Sequence, residues 1–386
     1  MTDERNNDRK LWLLDETRVE ADIIEAVDTL VNEPRLALDL EADSFHHYSE
    51  QVCLVQIGSN DADVIYDPVT HGLHASLRAL LTAPSRTWIL HGGDYDVLML
   101  KRDFSLELGR VFDTHVAARF LGYDGLGLQS LLERELGIRI SKGEQRSDWR
   151  RRPLSPEQVR YARQDVEHLH PLADKLIEHL EKAGRLAWVE EECEILRRRA
   201  YIPKEPDPEA WAKLKGTKEL PPIGLAVVRA VFSWRDRMAR RQDRAPFRVL
   251  PNETIVAVAH HAAIKGPPSA QDLRGARGIG RGVDVAELAT EIKAAVAAPP
   301  PPRARLQSQQ APQGPPKTRV EMLKKARHEW AATLGIDPAL VLPPALIDVL
   351  AASQPASLES LDGVPGMTRW RYEAIGPSLW NVLRSG

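Results

Sequence analysis

A chain of 386 residues, 43% of them hydrophobic, is long enough for two or three domains with separate cores. Its 55 acidic and 52 basic residues leave a net charge of -3, which excludes a protein that coats nucleic acid through overall basicity; local patches must carry any such contact. The polar opening stretch and the lack of any eighteen-residue apolar run read as no signal peptide and no membrane span, hence a cytoplasmic protein, while Cys53 and Cys193 stand in no CxxC spacing and suggest neither a disulfide framework nor a zinc site.

Roughly the first 175 residues alternate β-like runs with helical patterns, and residues 35–40, 52–58, 64–66 and 86–90 are predicted strands of an α/β domain. In Leu36-Ala37-Leu38-Asp39-Leu40-Glu41 the leucines share one face of such a strand, which turns Asp39 and Glu41 together to the other. Alone, that pair is most simply a solvated strand face. A second acidic site follows the apolar run Trp88-Ile89-Leu90, where His91-Gly92-Gly93-Asp94-Tyr95-Asp96 reads as a turn entering a helix. An acid there either faces the crevice at the strand end or caps the helix; we assign Asp96 to the crevice, Asp94 to the cap, and His91 to packing.

After Pro156 a helical pattern puts Tyr161 and Asp165 four residues apart, and therefore on one face. Basic residues concentrate at residues 142–152, including Lys142, Arg146 and Arg152, and at residues 235–244, including Arg237 and Arg241. Each cluster is either a phosphate-binding patch or a solvated face. Pro203, Pro206, Pro208, Pro221 and Pro222 punctuate the chain before helical patterning resumes, which predicts a boundary near residues 200–222.

Residues 299–316 hold seven prolines and four glutamines, the composition of an extended spacer rather than of a core. The segments on either side are related. Val249-Leu250-Pro251, followed by Ile255 and Ala259, matches Val341-Leu342-Pro343, followed by Ile347 and Ala351; Ser269, Leu273, Gly275, Gly278 and Ile279 then match Ser357, Leu361, Gly363, Gly366 and Met367. The chain therefore carries a duplicated small helical domain.

An Asp-x-Glu on a strand, an Asp at a strand-to-helix junction and a Tyr-x-x-x-Asp on a later helix, in that order, resemble the DEDDy exonucleases, and specifically the ribonuclease D family. The resemblance runs on through Asp113-Thr114, Arg119-Phe120-Leu121-Gly122, Lys142-Gly143-Glu144-Gln145-Arg146-Ser147-Asp148-Trp149 and Arg152-Pro153-Leu154. The duplicated segments resemble the helicase and ribonuclease D C-terminal (HRDC) domain. The resemblance implies a ribonuclease-H-like mixed-sheet exonuclease domain at residues 1–200, a first HRDC-like helical domain at 217–298, the Pro/Gln-rich linker at 299–316, and a second, diverged all-α HRDC-like domain at 317–386.

It further implies that Asp39, Glu41, Asp96 and Asp165 ligate two divalent ions, Mg²⁺ or Mn²⁺, that Tyr161 orients the attacking water, and that Lys142, Arg146 and Arg152, beside the active site, touch RNA; Arg237 and Arg241 stay open between RNA contacts and a solvated face. Hard oxygen donors suit such ions, and an ion pair of this kind stabilises both ends of an in-line displacement at phosphorus. The implied activity is 3′→5′ exoribonucleolytic release of nucleoside 5′-monophosphates from RNA 3′ ends, in particular transfer RNA precursors; no protein partner is readable. A DNA 3′→5′ exonuclease is the alternative, disfavoured by the absence of Gly-x-x-x-x-Gly-Lys-Ser/Thr; a non-catalytic RNA-binding protein is expected only where an acid is missing. As an RNA-binding tail on a tether, residues 217–386 are expected to be removable with weaker, less salt-dependent RNA binding but intact turnover.

Overall fold

The computed structural model describes residues 9–140, 143–203, 205–280, 282–299, 316–353 and 355–385. Lys142 and most of the predicted linker lie outside the described residues. Two compact units are formed: one from Met1–Ala42, Val52–Tyr201 and Pro312–Gly386, the other from Asp43–Gln51 and Ile202–Ala311.

The first unit is built on six strands, β1 (Lys10–Leu14), β2 (Arg35–Ala42), β3 (Val52–Gly58), β4 (Ala62–Tyr66), β5 (Thr87–Leu90) and β6 (Arg110–Asp113). Their order is β1-β4-β3-β2-β5-β6. The β2–β3 and β3–β4 pairs are antiparallel and the other three parallel, so the expected mixed sheet is present. β3, Val-Cys-Leu-Val-Gln-Ile-Gly, is buried along its whole length, as a strand covered on both faces must be. Helix Pro156–Glu167 lies across β2, β3 and β4. The strands β1 and β6 escaped the sequence reading: β1 is a half-exposed edge without alternation, and β6 offers only Val111 and Phe112 between the charged Arg110 and Asp113.

The second helical repeat belongs to this unit's core. Trp370, 2% exposed, stacks on Trp188 with ring centroids 5.1 Å apart and meets Phe120 edge-on, also at 5.1 Å. The Glu191 carboxylate accepts the backbone N–H groups of Arg369 and Trp370, at 2.7 and 3.0 Å, where helix Arg369–Ser385 begins. Arg371 is buried against Glu192 at 2.8 Å, and Arg119 pairs with Asp337 at 2.9 Å. This corrects the expectation of a tethered tail for residues 317–383. Its apolar face had no visible partner in sequence because the partners, Phe120 and Trp188, lie some two hundred residues away along the chain.

The other unit packs helices Pro222–Arg241, Asn252–Lys265 and Val285–Ala297 around Trp234, Leu250 and Ile255. It also takes in the loop that leaves β2: Tyr48 donates to Asp236 at 2.8 Å, its backbone N–H to Asp243 at 3.2 Å, and the Ala245 N–H donates to the His46 carbonyl at 3.1 Å. The duplication reappears as backbone geometry, with Gly278 at φ 86° and Gly366 at φ 88°. At Gly278 a Cβ would also lie 2.0 Å from the Thr254 hydroxyl, so glycine is required there twice over. Among the described residues no helix is long and apolar enough to cross a membrane, and Cys53 and Cys193 are both buried.

Candidate active site

Period-two alternation on β2 buries Leu36, Leu38 and Leu40 and leaves Asp39 and Glu41 only partly covered on the opposite face. Asp39 stands opposite Gln56 of β3 and Glu41 opposite Leu54, with a register shift directly after Glu41. Asp165 reaches the same place from helix Pro156–Glu167, which begins with a Ser155 capping box and Pro156 in its first turn. Oxygen atoms of Asp39, Glu41 and Asp165 lie within 4.8 Å of one another. Tyr161, one turn before Asp165, directs its hydroxyl hydrogen bond to that carboxylate, and its ring lies 6.0 Å from that of the buried Trp149.

Asp96 enters from helix Asp94–Phe104 and is close enough to feel the charges of Asp39 and Asp165. The turn before it is shaped by a residue that sequence reasoning had not singled out for this task. The Asp113 carboxylate accepts the N–H groups of Gly92 (3.1 Å) and Gly93 (2.8 Å), while also capping its own helix through His115 (2.8 Å) and Val116 (3.1 Å). Gly93 has no alternative: a Cβ would come within 2.7 Å of the Leu90 side chain. Asp94 is not the cap. Gly93 occupies that position, and Asp94 is exposed in the first turn, pairing with Arg199 at 3.4 Å.

His91 is packed, and it also lines the cleft. Thr114 donates its hydroxyl to the Leu90 carbonyl at 3.0 Å and so accepts from His91 Nδ1 at 2.9 Å, which leaves Nε2 as the imidazole acceptor. Burial, with His115 adding to it and Asp113 opposing it, pulls the His91 pKa down to about 4, so the ring is neutral. The cleft, about 420 Å³, is lined by Asp39, Glu41, His91, Gln145, Tyr161 and Asp165 among others.

Burial and mutual repulsion dominate the electrostatics. Asp39 is pushed up to about 7 by burial, and Asp165 to about 8 by burial and then by the charge of Asp39. Glu41 and Asp96 rise well above the carboxylate range, again from burial first and from their acidic neighbours next. Tyr161 is raised by burial and by Asp165, Glu41 and Asp39, so it keeps its proton. Carboxylates gathered and raised together in this way offer the hard oxygen donors that a divalent cation fits.

The basic residues are disposed differently. Arg152 is drawn inward: it pairs with Asp67 at 2.6 Å and donates to the Trp149 and Cys53 carbonyls at 2.6 and 3.1 Å. Arg146 also has an interaction within the protein. Arg237 pairs with Glu291, and Arg241 with Glu287 at 3.2 Å, both in exposed positions where such pairs contribute little stability and part readily.

A model of the 3′-5′ exonuclease family matches residues 16–181, and the HRDC domain model matches twice, at 224–285 and 317–383. Ribonuclease D of Acidiphilium cryptum is 32% identical over 358 residues, covering 90% of this chain and 88% of its own. Among solved structures, Escherichia coli RNase D, described as an exoribonuclease involved in structured RNA processing, superimposes with a TM-score of 0.62 at 25% identity over 98% of this chain and 99% of its own. The catalytic core of RRP6 from Trypanosoma brucei gives 0.64 at 29% identity over 75% of this chain and 80% of its own.

Proposed function

The chain belongs to the ribonuclease D family of 3′→5′ exoribonucleases, and from that premise we propose that Asp39, Glu41, Asp96 and Asp165 hold two divalent ions, Mg²⁺ or Mn²⁺, and that Tyr161 places the attacking water. The observation that carries this reading is the convergence of three carboxylate oxygens, from a strand and a helix far apart in sequence, within 4.8 Å. Burial raises the Asp39 carboxyl, and burial with the charge of Asp39 raises Asp165; a cation bound among them would supply the opposing charge. Bound cations supply the acidity that water lacks at neutral pH and neutralise charge developing on the phosphate.

The protein's own groups do the rest. Tyr161, protonated and held by Asp165 on one side and Trp149 on another, donates or accepts a hydrogen bond but takes no proton from water. His91 presents a neutral ring nitrogen to the cleft. The substrates we propose are RNA 3′ ends in the cytoplasm, transfer RNA precursors in particular, with nucleoside 5′-monophosphates as products. The direct test is a matched pair of RNA and DNA strands labelled at the 5′ end. A stepwise ladder on RNA, dependent on Mg²⁺ and abolished by chelator, is expected; a single internal cut, or equal attack on DNA, would sink the reading.

Tyr161→Phe preserves the ring against Trp149 and removes only the hydroxyl. Turnover is expected to fall about a hundredfold, the scale of a misplaced nucleophile, with KM for short RNA nearly unchanged. Unchanged turnover would demote Tyr161 to a packing residue.

A further inference from the structure

β3 is apolar except at one position. Gln56 is 0% exposed, flanked by Val55 and Ile57, and among the described residues neither its amide nitrogen nor its amide oxygen has a hydrogen-bond partner. Native proteins rarely bury both ends of an amide in this way, and such a group calls for a partner that is absent from the resting arrangement. Its place in the sheet says which. Gln56 is the direct cross-strand partner of Asp39, so the two side chains rise from the same face of the sheet with Cβ atoms about 5 Å apart.

The surroundings narrow the choice. On that face Gln56 is bracketed by Leu54 and Gly58 along β3, and by Ile65 across the pair to β4. Leu54 and Ile65 pack with Ala162 of the helix above, and a Cβ on Gly58 would touch Val166 of the same helix. Apolar side chains therefore close off two sides; beyond Gly58 lie the Val166 carbonyl oxygen and the Asp63 carboxylate, the latter already paired with Arg9 and Arg163, and the remaining side is the carboxylate cluster to which Asp39 and Asp165 belong.

We propose that Gln56 is a positioning residue for Asp39: its amide N–H donates to the Asp39 carboxylate when that group is ionised against a bound cation, and fixes which oxygen faces the ion. An ionised carboxylate only accepts hydrogen bonds, and the amide nitrogen is the donor placed to meet it. Groups that orient a ligating carboxylate from behind influence metal affinity strongly although they never touch the metal. The inference rests on the reading of Asp39 as a cation ligand.

The signature is a crossing of two effects. Replacing Gln56 by methionine, of equal length and without polar atoms, relieves the burial of an unpartnered amide and takes away the donor. In chelator, Q56M is expected to melt several degrees above the parent chain. Its Mn²⁺ affinity, read by calorimetry without RNA, is expected to be weaker by about 10–100-fold. A residue with a packing role alone moves the melting temperature and leaves the Mn²⁺ affinity within twofold, and that result overturns the proposal. So does a Q56M or Q56L chain that melts lower or fails to fold in chelator, because the amide then holds the unloaded fold. If the parent chain itself binds no Mn²⁺, the ligand reading falls and the proposal with it; parent-like binding by Q56M removes the proposal and leaves that reading standing.

Discussion

Asp39→Ala is expected to lower turnover on RNA about a thousandfold at saturating Mg²⁺, since several kcal/mol of transition-state stabilisation depend on the cations held there, at roughly 1.4 kcal/mol per decade of rate. The loss is not a loss of fold. Asp39 and Asp165 titrate near 7 and 8 in the folded protein, well above an unfolded carboxylate, so folding takes up protons at this site. The stability it contributes is full below the unfolded pKa and is lost as pH rises through about 7 and then about 8. In chelator the parent chain should therefore melt progressively lower between pH 5 and pH 8, and Mg²⁺ should abolish much of that decline. Asp39→Ala should melt higher than the parent at pH 8 in chelator and respond less to Mg²⁺. Melting curves at three pH values with single-turnover rates check both halves. Near-normal turnover would remove Asp39 from the ligand set, and a pH-independent melting temperature would show that burial does not raise these carboxyls.

Trp370→Ala is expected to be the most damaging substitution outside the cleft. Trp370 is 2% exposed between Trp188 and Phe120, and removing so large a buried ring costs about 3–5 kcal/mol. For a unit of this size that lowers the melting temperature by roughly ten degrees. Removing residues 317–386 altogether exposes Phe120, Trp188 and the carboxylates of Glu191 and Glu192 that now hold Arg369 and Arg371, so the truncated chain should be poorly soluble. Calorimetry on the substitution and soluble yield of the truncation read this out. A truncated chain with an unchanged melting temperature would restore the tethered-tail reading.

What was legible in the sequence was local. Asp39 and Glu41 declare themselves because a strand's period of two puts them together, and Tyr161 and Asp165 because a helix's turn does the same. That the two pairs meet came from a family resemblance, since no local rule joins residue 41 to residue 165. Groups acting through the backbone stayed hidden: Asp113 binds the N–H groups of Gly92 and Gly93, and an N–H has no sequence signature. The ion pairs of the basic residues were equally hidden: Asp67, the partner of Arg152, lies 85 residues away, and Glu291 and Glu287, the partners of Arg237 and Arg241, sit on a later helix. Gln56 was read as one residue of a strand; only the register against Asp39 gives it a meaning.

The loop Asp43–Gln51 begins two residues after Glu41 and is folded into the other unit, where Tyr48 meets Asp236 and Asp243. The first helical domain is therefore not a portable module in this chain. A stretch excised at residues 202–311 would leave behind the nine-residue loop that covers these aspartates, and a foreign helical domain grafted in its place would have to present matching acids to Tyr48 and His47. Gene fusion can add or remove a contiguous tail in a single event, whereas a domain completed by the loop between β2 and β3 has to change in step with those strands.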